Sequence, residues 1–271
     1  MKRVLIVNAD DCNLTPGVTR AILDCHDRGI LTSTTFMANL PVQKETVREL
    51  LKRKNLGVGI HLNVTFGKPI SKPARVLSLL TPAGDFKKVR DQISRPPAAA
   101  ELSREYQVQI DRFTELFGRK PSHLDTHHQV HDHVFFLKVL CEVAAKNALP
   151  VRRSLSFRRS AATEKSPSSE ISHPLRGFEM TGVRTPDFFF GNLTPSGYWT
   201  REPLVTILQN LPAGVSEIMC HPGCHDKALE QVSSFREGRQ KEWELFRSSF
   251  LRALLRQAEI VPAHFGCAIL K

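Results

Sequence analysis

The sequence predicts an α/β protein built on a mostly parallel sheet, closed as a barrel or left open. Two observations carry this prediction. Short apolar runs alternate with longer segments of helical period along the chain, and polar residues with site chemistry collect at the ends of those runs. The 271 residues are 41% apolar and 24% charged, ordinary globular composition with length for one large core, and a single domain over 1–271 is expected.

The strand-like runs are 3–8 (RVLIVN), 34–38, 56–62 (LGVGIHL), 121–126 (PSHLDT), 148–151, 215–219 (VSEIM) and a short one near 259–262. Between them lie helical patterns. In the first, Thr15 suits the N-cap and Pro16 the first turn, and Val18, Ala21, Ile22 and Cys25 share a face before Gly29 ends the run. Others fall at about 42–54, 133–146, 201–210 and 238–257. The one at 101–117 lines up Leu102, Tyr106, Ile110, Phe113 and Leu116–Phe117, with Gly118 as its stop. Two segments break the rhythm and read as long loops or insertions: 63–98, rich in Pro, Gly and Lys, and 153–177, polar and Ser-rich.

Composition narrows the function classes. The formal net charge of +11 would attract phosphate nonspecifically, but the charge is spread, and the clusters at 152–159 (RRSLSFRR) and 236–241 carry no recognition motif. They read as solvated surface, with no nucleic-acid partner and at most weak attraction to an acidic membrane. No apolar run is long enough to span a bilayer, and MKRVLIVNADD meets paired acids too soon for a signal peptide, so a cytoplasmic protein is expected. The cysteines at 12, 25, 141, 220, 224 and 267 have no disulfide rhythm. Cys220 and Cys224, in CHPGCH, lack the second ligand pair of a zinc knuckle.

Four clusters sit at strand ends: Asp10–Asp11, His61 with Asn63, Asp125 to His131, and His221. Each alone has an ordinary explanation as a cap, a turn residue or a core histidine. Their coincidence at one end of one sheet points to chemistry. Adjacent residues on a strand face opposite ways, so of Asp10 and Asp11 one could ligate a cation while the other takes a proton from water. His221, before Pro-Gly, suits the acid that protonates a leaving atom.

These stretches, NADD (8–11), GVGIHLN (57–63), HLDTHHQVH (123–131) and EIMCHPG (217–223), resemble the YdjC-like carbohydrate deacetylases, the family that includes ChbG and the hopanoid-associated HpnK. Residues 14–41 look like that family's first helix and second strand, and DFFFGN with SGYW (187–199) looks closest to the HpnK branch. The resemblance implies a distorted TIM-like barrel that removes an N-acetyl group from an amino sugar, free or on a glycolipid, by divalent-metal hydrolysis. It implies Asp10 as proton acceptor and Asp11, His61 and His127 as metal ligands, with Mg²⁺ the usual ion and Zn²⁺ compatible with two His and one carboxylate. A homodimer fits the family's habit. Where relatives continue NADD with Phe-Gly, this chain has Cys12 and Asn13; Asn is the residue after Gly that best tolerates positive φ.

In LDTHHQVHDH (124–133), the spacing of His127 and His131 suggests a helical pair. On a strand end and its exit loop, however, Asp125 aligns with His127. His127 is then the ligand, Asp125 a partner orienting a ligand, His131 and Asn63 pocket or supporting residues, and His128 and His133 outward-facing bystanders. Two rival readings are a metal phosphoesterase and a non-catalytic carbohydrate or anionic-surface binding protein.

Overall fold

The computed structural model describes residues 2–154, 183–191 and 197–269. Most of the expected loop at 153–177 lies outside them. Along the chain the elements are β1 (Arg3–Cys12), α1 (Pro16–Arg28), β2 (Ser33–Phe36), α2 (Lys44–Lys52), β3 (Gly57–Leu62), α3 (Val89–Ser94), α4 (Ala99–Phe117), β4 (Leu124–Thr126), α5 (Val134–Asn147), β5 (Phe188–Phe190), α6 (Arg201–Gln209), β6 (Gly214–Cys220), α7 (Lys227–Val232), α8 (Glu237–Phe246), α9 (Ser249–Gln257), β7 (Val261–Pro262) and α10 (Phe265–Ala268).

All strand pairs are parallel, in the order β4-β3-β2-β1-β6-β5. β6 takes one edge of β1; β7 takes the start of the other edge and β2 its later half. The sheet curls round on itself. Leu124 N donates to Pro150 O, Arg152 N to Leu124 O, and Val151 N to Arg184 O, each at 2.9 Å, so the stretches 150–152 and 184–190 carry the ladder from β4 round to β6. The result is the expected TIM-like α/β barrel. Its distortion lies in those two irregular staves.

α1 forms as its residues dictate: Thr15 Oγ1 accepts from Val18 N, Pro16 opens the helix, and Val18, Ala21, Ile22 and Cys25 are buried against the sheet. α4 ends at Gly118 with φ +64, a left-handed cap that glycine adopts without strain. Three expectations need correction. The run 238–257 is two helices, because the chain turns at Arg247–Ser248 between α8 and α9. The run 148–151 pairs only as the isolated bridge Leu124–Val151, while β5, not expected as a strand, extends the sheet.

The third correction concerns 63–98, which is not a free loop. It holds two 3₁₀ turns, an antiparallel bridge between Leu80 and Phe86, and α3. Val76, Leu79, Leu80 and Phe86 are buried. Glu105 of α4 accepts from the backbone N–H groups of Ile70 and Ser71, and Glu101 from Ser78 N and Oγ. Charged acceptors on a helix thereby satisfy a segment that lacks a ladder of its own.

Candidate active site

The four clusters meet at the C-terminal mouth of the barrel, around a cavity of about 680 Å³ lined by Asp10, Asp11, His61, His127, His128 and His221, with Phe66, Lys88, Phe235 and Arg239 among its walls. β1 delivers the paired acids. The ladder with β2 shifts register between Ala9 and Cys12, and Asp11 and Asn13 take φ +65 and +76. That bulge turns Asp10 and Asp11 into different surroundings. Asn13 accepts the left-handed geometry, as expected, and its Nδ2 donates to Met37 O at 3.1 Å and Pro41 O at 3.3 Å. Cys12 is fully buried, where burial pushes its thiol up to about 12, and does not line the cavity.

Asp11 faces two imidazoles. Its Oδ1 lies 3.2 Å from His61 Nε2 and 3.9 Å from His127 Nε2, is buried, and has no hydrogen-bond partner among the described residues. Its Oδ2 accepts from Arg239. Burial opposes charge on Asp11, but Arg239 and then His61 hold its carboxyl well below the usual range. Burial, with smaller contributions from His128, His61 and Arg239, pushes His127 toward the neutral form against the pull of Asp11.

The other nitrogens of both rings are held from behind. Asp125 Oδ1 sits 2.6 Å from His61 Nδ1, and Thr35 Oγ1 donates to Asp125 Oδ2 at 2.9 Å. Burial disfavours a charged His61, but Asp125, Asp11 and Asp10 outweigh it and raise the group to about 10. Thr65 Oγ1 meets His127 Nδ1 at 2.8 Å. Asn63 makes this contact possible by accepting from Thr65 N and Phe66 N, so it shapes the turn behind the cavity.

Asp10 points the other way, onto Arg152, whose Nη1 and Nη2 donate to its two oxygens at 2.7 and 2.6 Å. The same guanidinium reaches Glu217 Oε1 at 2.8 Å and Asp125 Oδ2 at 3.1 Å. Arg152 is fully buried; burial opposes its charge, but Asp10, Glu217 and Asp125 raise it well above the ordinary range. Burial pushes Glu217 up to about 7 despite Arg152. His221 Nε2 stands 3.8 Å from Asp10 Oδ2, and its backbone N–H donates to Glu242 Oε2. Burial shifts its ring toward the neutral form.

Two donor sets could hold a cation. Asp10, His61 and Asp125 offer ligand atoms within 4.8 Å of one another, but Arg152 donates to both oxygens of Asp10 and lies 3.1 Å from Asp125 Oδ2, so its charge opposes a metal cation there. The Asp11, His61 and His127 side has an orphaned carboxylate oxygen facing two ring nitrogens, a donor set suited to a divalent ion.

Several expectations change here. His131 is fully buried with Nδ1 on Thr126 Oγ1, and it does not line the cavity. His128 and Gln129 have φ +56 and +46, so His127 and His131 do not share a helical face. That turn brings His128 to the cavity wall, its ring centroid 3.8 Å from that of His127, while the residue stays exposed. Arg152, Arg153 and Arg239 are buried rather than solvated. Arg152 and Thr65 were not singled out from the sequence. Arg152 directly follows the apolar run 148–151, the same strand-end position that marked His61 and Asp125.

A parallel α/β barrel with carboxylates and imidazoles converging at its C-terminal mouth belongs to the class of barrel enzymes. The family model described as YdjC-like protein matches residues 4–257, and the chain belongs to that family. A carbohydrate deacetylase of Halalkalibacterium halodurans is 33% identical over 246 residues, covering 89% of this chain and 94% of its own. A chitooligosaccharide deacetylase of Salmonella paratyphi B is 29% identical, covering 98% and 99%. Among solved structures, a candidate cellobiose-phosphate cleavage protein of Enterococcus faecalis superposes with a TM-score of 0.86 at 29% identity, covering 100% of both chains. By this kinship the chain is a deacetylating hydrolase. No helix among the described residues is long and apolar enough to cross a membrane.

Proposed function

We propose that the chain hydrolyses the N-acetyl group of an amino sugar, releasing acetate and the free amine, with Asp11, His61 and His127 holding a divalent cation. The observation that carries this reading is the buried Asp11 Oδ1, which accepts no hydrogen bond among the described residues and faces the Nε2 atoms of His61 and His127, beside a second carboxylate in the same cavity. A bound divalent cation supplies Lewis-acid polarisation of a carbonyl and acidifies water. Mg²⁺ is the expected ion, and the donor set also suits Zn²⁺.

Asp10 is oriented by two hydrogen bonds from Arg152 and accepts the proton of the water that adds to the acetyl carbon. His221, across from Asp10, must carry a proton to act as the acid, a form that burial opposes and the charges of Asp10 and Asp11 favour, and it gives that proton to the sugar nitrogen as the carbon–nitrogen bond breaks. Phe66 and Phe235 give the cavity apolar walls on which a sugar ring can rest. One cation suffices, because Arg152 occupies the carboxylates a second would need; this argues against the two-metal arrangement of many phosphoesterases.

The test is acetate release from a panel of N-acetylglucosamine, chitooligosaccharides and N-acetylglucosaminyl glycolipids, with Mg²⁺, Mn²⁺ or Zn²⁺ and after chelation. Metal-dependent release is expected from at least one. Asp10→Asn should abolish it while metal still binds. Acetate from none of them, or full activity in Asp10→Asn, overturns the reading.

A further inference from the structure

We propose that Arg239 sets how strongly Asp11 holds a divalent cation, by occupying Oδ2 and leaving Oδ1 as the single ligand oxygen. The inference rests on the reading of Asp11, His61 and His127 as the ligands. Arg239 is 4% exposed, and its Nη2 donates to Asp11 Oδ2. Its Nε and Nη1 are buried and meet no hydrogen-bond partner among the described residues; the Phe235 ring lies 5.8 Å from the guanidinium carbon.

A buried guanidinium is costly and repays that cost only through several acceptors. Arg152, in the same barrel, engages three carboxylates. Among the described residues Arg239 has one carboxylate, that of Asp11. Its placement is built for the site rather than for general stability.

Room is made for it in the HPG turn. A Cβ at Gly223 would stand 3.1 Å from Arg239 Cδ and 3.2 Å from its Cβ, and Gly223 N donates to Arg239 O at 3.0 Å. One turn further along α8, Glu242 receives the His221 N–H. The turn and the helix therefore deliver His221 and Arg239 to one cavity as a unit. A positive charge hydrogen-bonded to a ligand carboxylate weakens its pull on a cation and prevents binding through both oxygens.

Chelator-stripped wild type, Arg239→Gln, Arg239→Lys and Asp11→Asn are titrated with Mn²⁺, with the free ion read by electron paramagnetic resonance and folding checked by urea midpoint. Arg239→Gln is expected to bind Mn²⁺ roughly tenfold tighter, and Arg239→Lys, which keeps the charge, within about twofold of wild type. Arg239→Met serves as a second neutral variant, with the same expected tightening, should the Gln variant fail to fold. Neutral variants that bind no tighter than wild type overturn the proposal. Wild-type binding by Asp11→Asn instead sinks the ligand reading, which keeps the two failures apart.

Discussion

Asp125 Oδ1 approaches His61 Nδ1 to 2.6 Å, which turns the opposite nitrogen of the same ring toward Asp11. The contact joins β4 to β3, whose ladder pairs these two residues directly. A carboxylate behind a ligating imidazole fixes its ring and raises its basicity.

Asp125→Asn should therefore weaken Mn²⁺ binding by about 10- to 100-fold, the usual effect of losing such a partner. The amide keeps the shape of the carboxylate and its oxygen can still accept from His61, and a urea midpoint checks folding after the loss of charge beside Arg152. Mn²⁺ titration of the variant decides the matter, and an unchanged dissociation constant would contradict the role.

Arg152→Met should cost about 3–5 kcal/mol of stability, because it leaves Asp10, Asp125 and Glu217 buried without their shared cation. Urea unfolding measures it. A loss below about 1 kcal/mol, the range of an exposed ion pair, would mean the cluster is not held as described.

Asn13→Ala should destabilise more than Asn13→Gly, by about 1 kcal/mol. Both variants lose the hydrogen bonds to Met37 and Pro41, but only alanine pays for φ +76. Comparing the two urea midpoints isolates the backbone contribution; equal midpoints would show the turn to be unstrained.

His123 gives stability a pH dependence. Its ring is fully buried, stacked on Phe265 at 3.8 Å, and bonded to Asn8 and Ser122. Burial pushes it from 6.5 down to about 3. Between those values the unfolded chain binds a proton that the fold refuses, so its contribution is full above about pH 6.5 and drains away as pH falls toward 3. The drop in unfolding free energy from pH 7 to 5 should be smaller in His123→Gln. An identical drop in both proteins would rule out His123 as the source.

Much of this architecture is legible in the chain. The alternation of apolar runs with helical segments is a local pattern, and each of Asp10, His61, Asp125 and His221 lies at the end of such a run, where a parallel barrel puts its mouth. The Gly-like tolerance of Asn anticipated the positive φ at Asn13.

Local patterns were silent where charge meets charge across the barrel. Arg152 reaches Asp10 over 142 residues and Arg239 reaches Asp11 over 228; in sequence both stand in basic runs that look solvated. The Arg152 guanidinium is buried where carboxylates of β1, β4 and β6 converge on it, and that convergence exists only once the sheet has curled and closed. The same closure hides His131, brings His128 to the cavity, and leaves Asp11 with one oxygen held and one open.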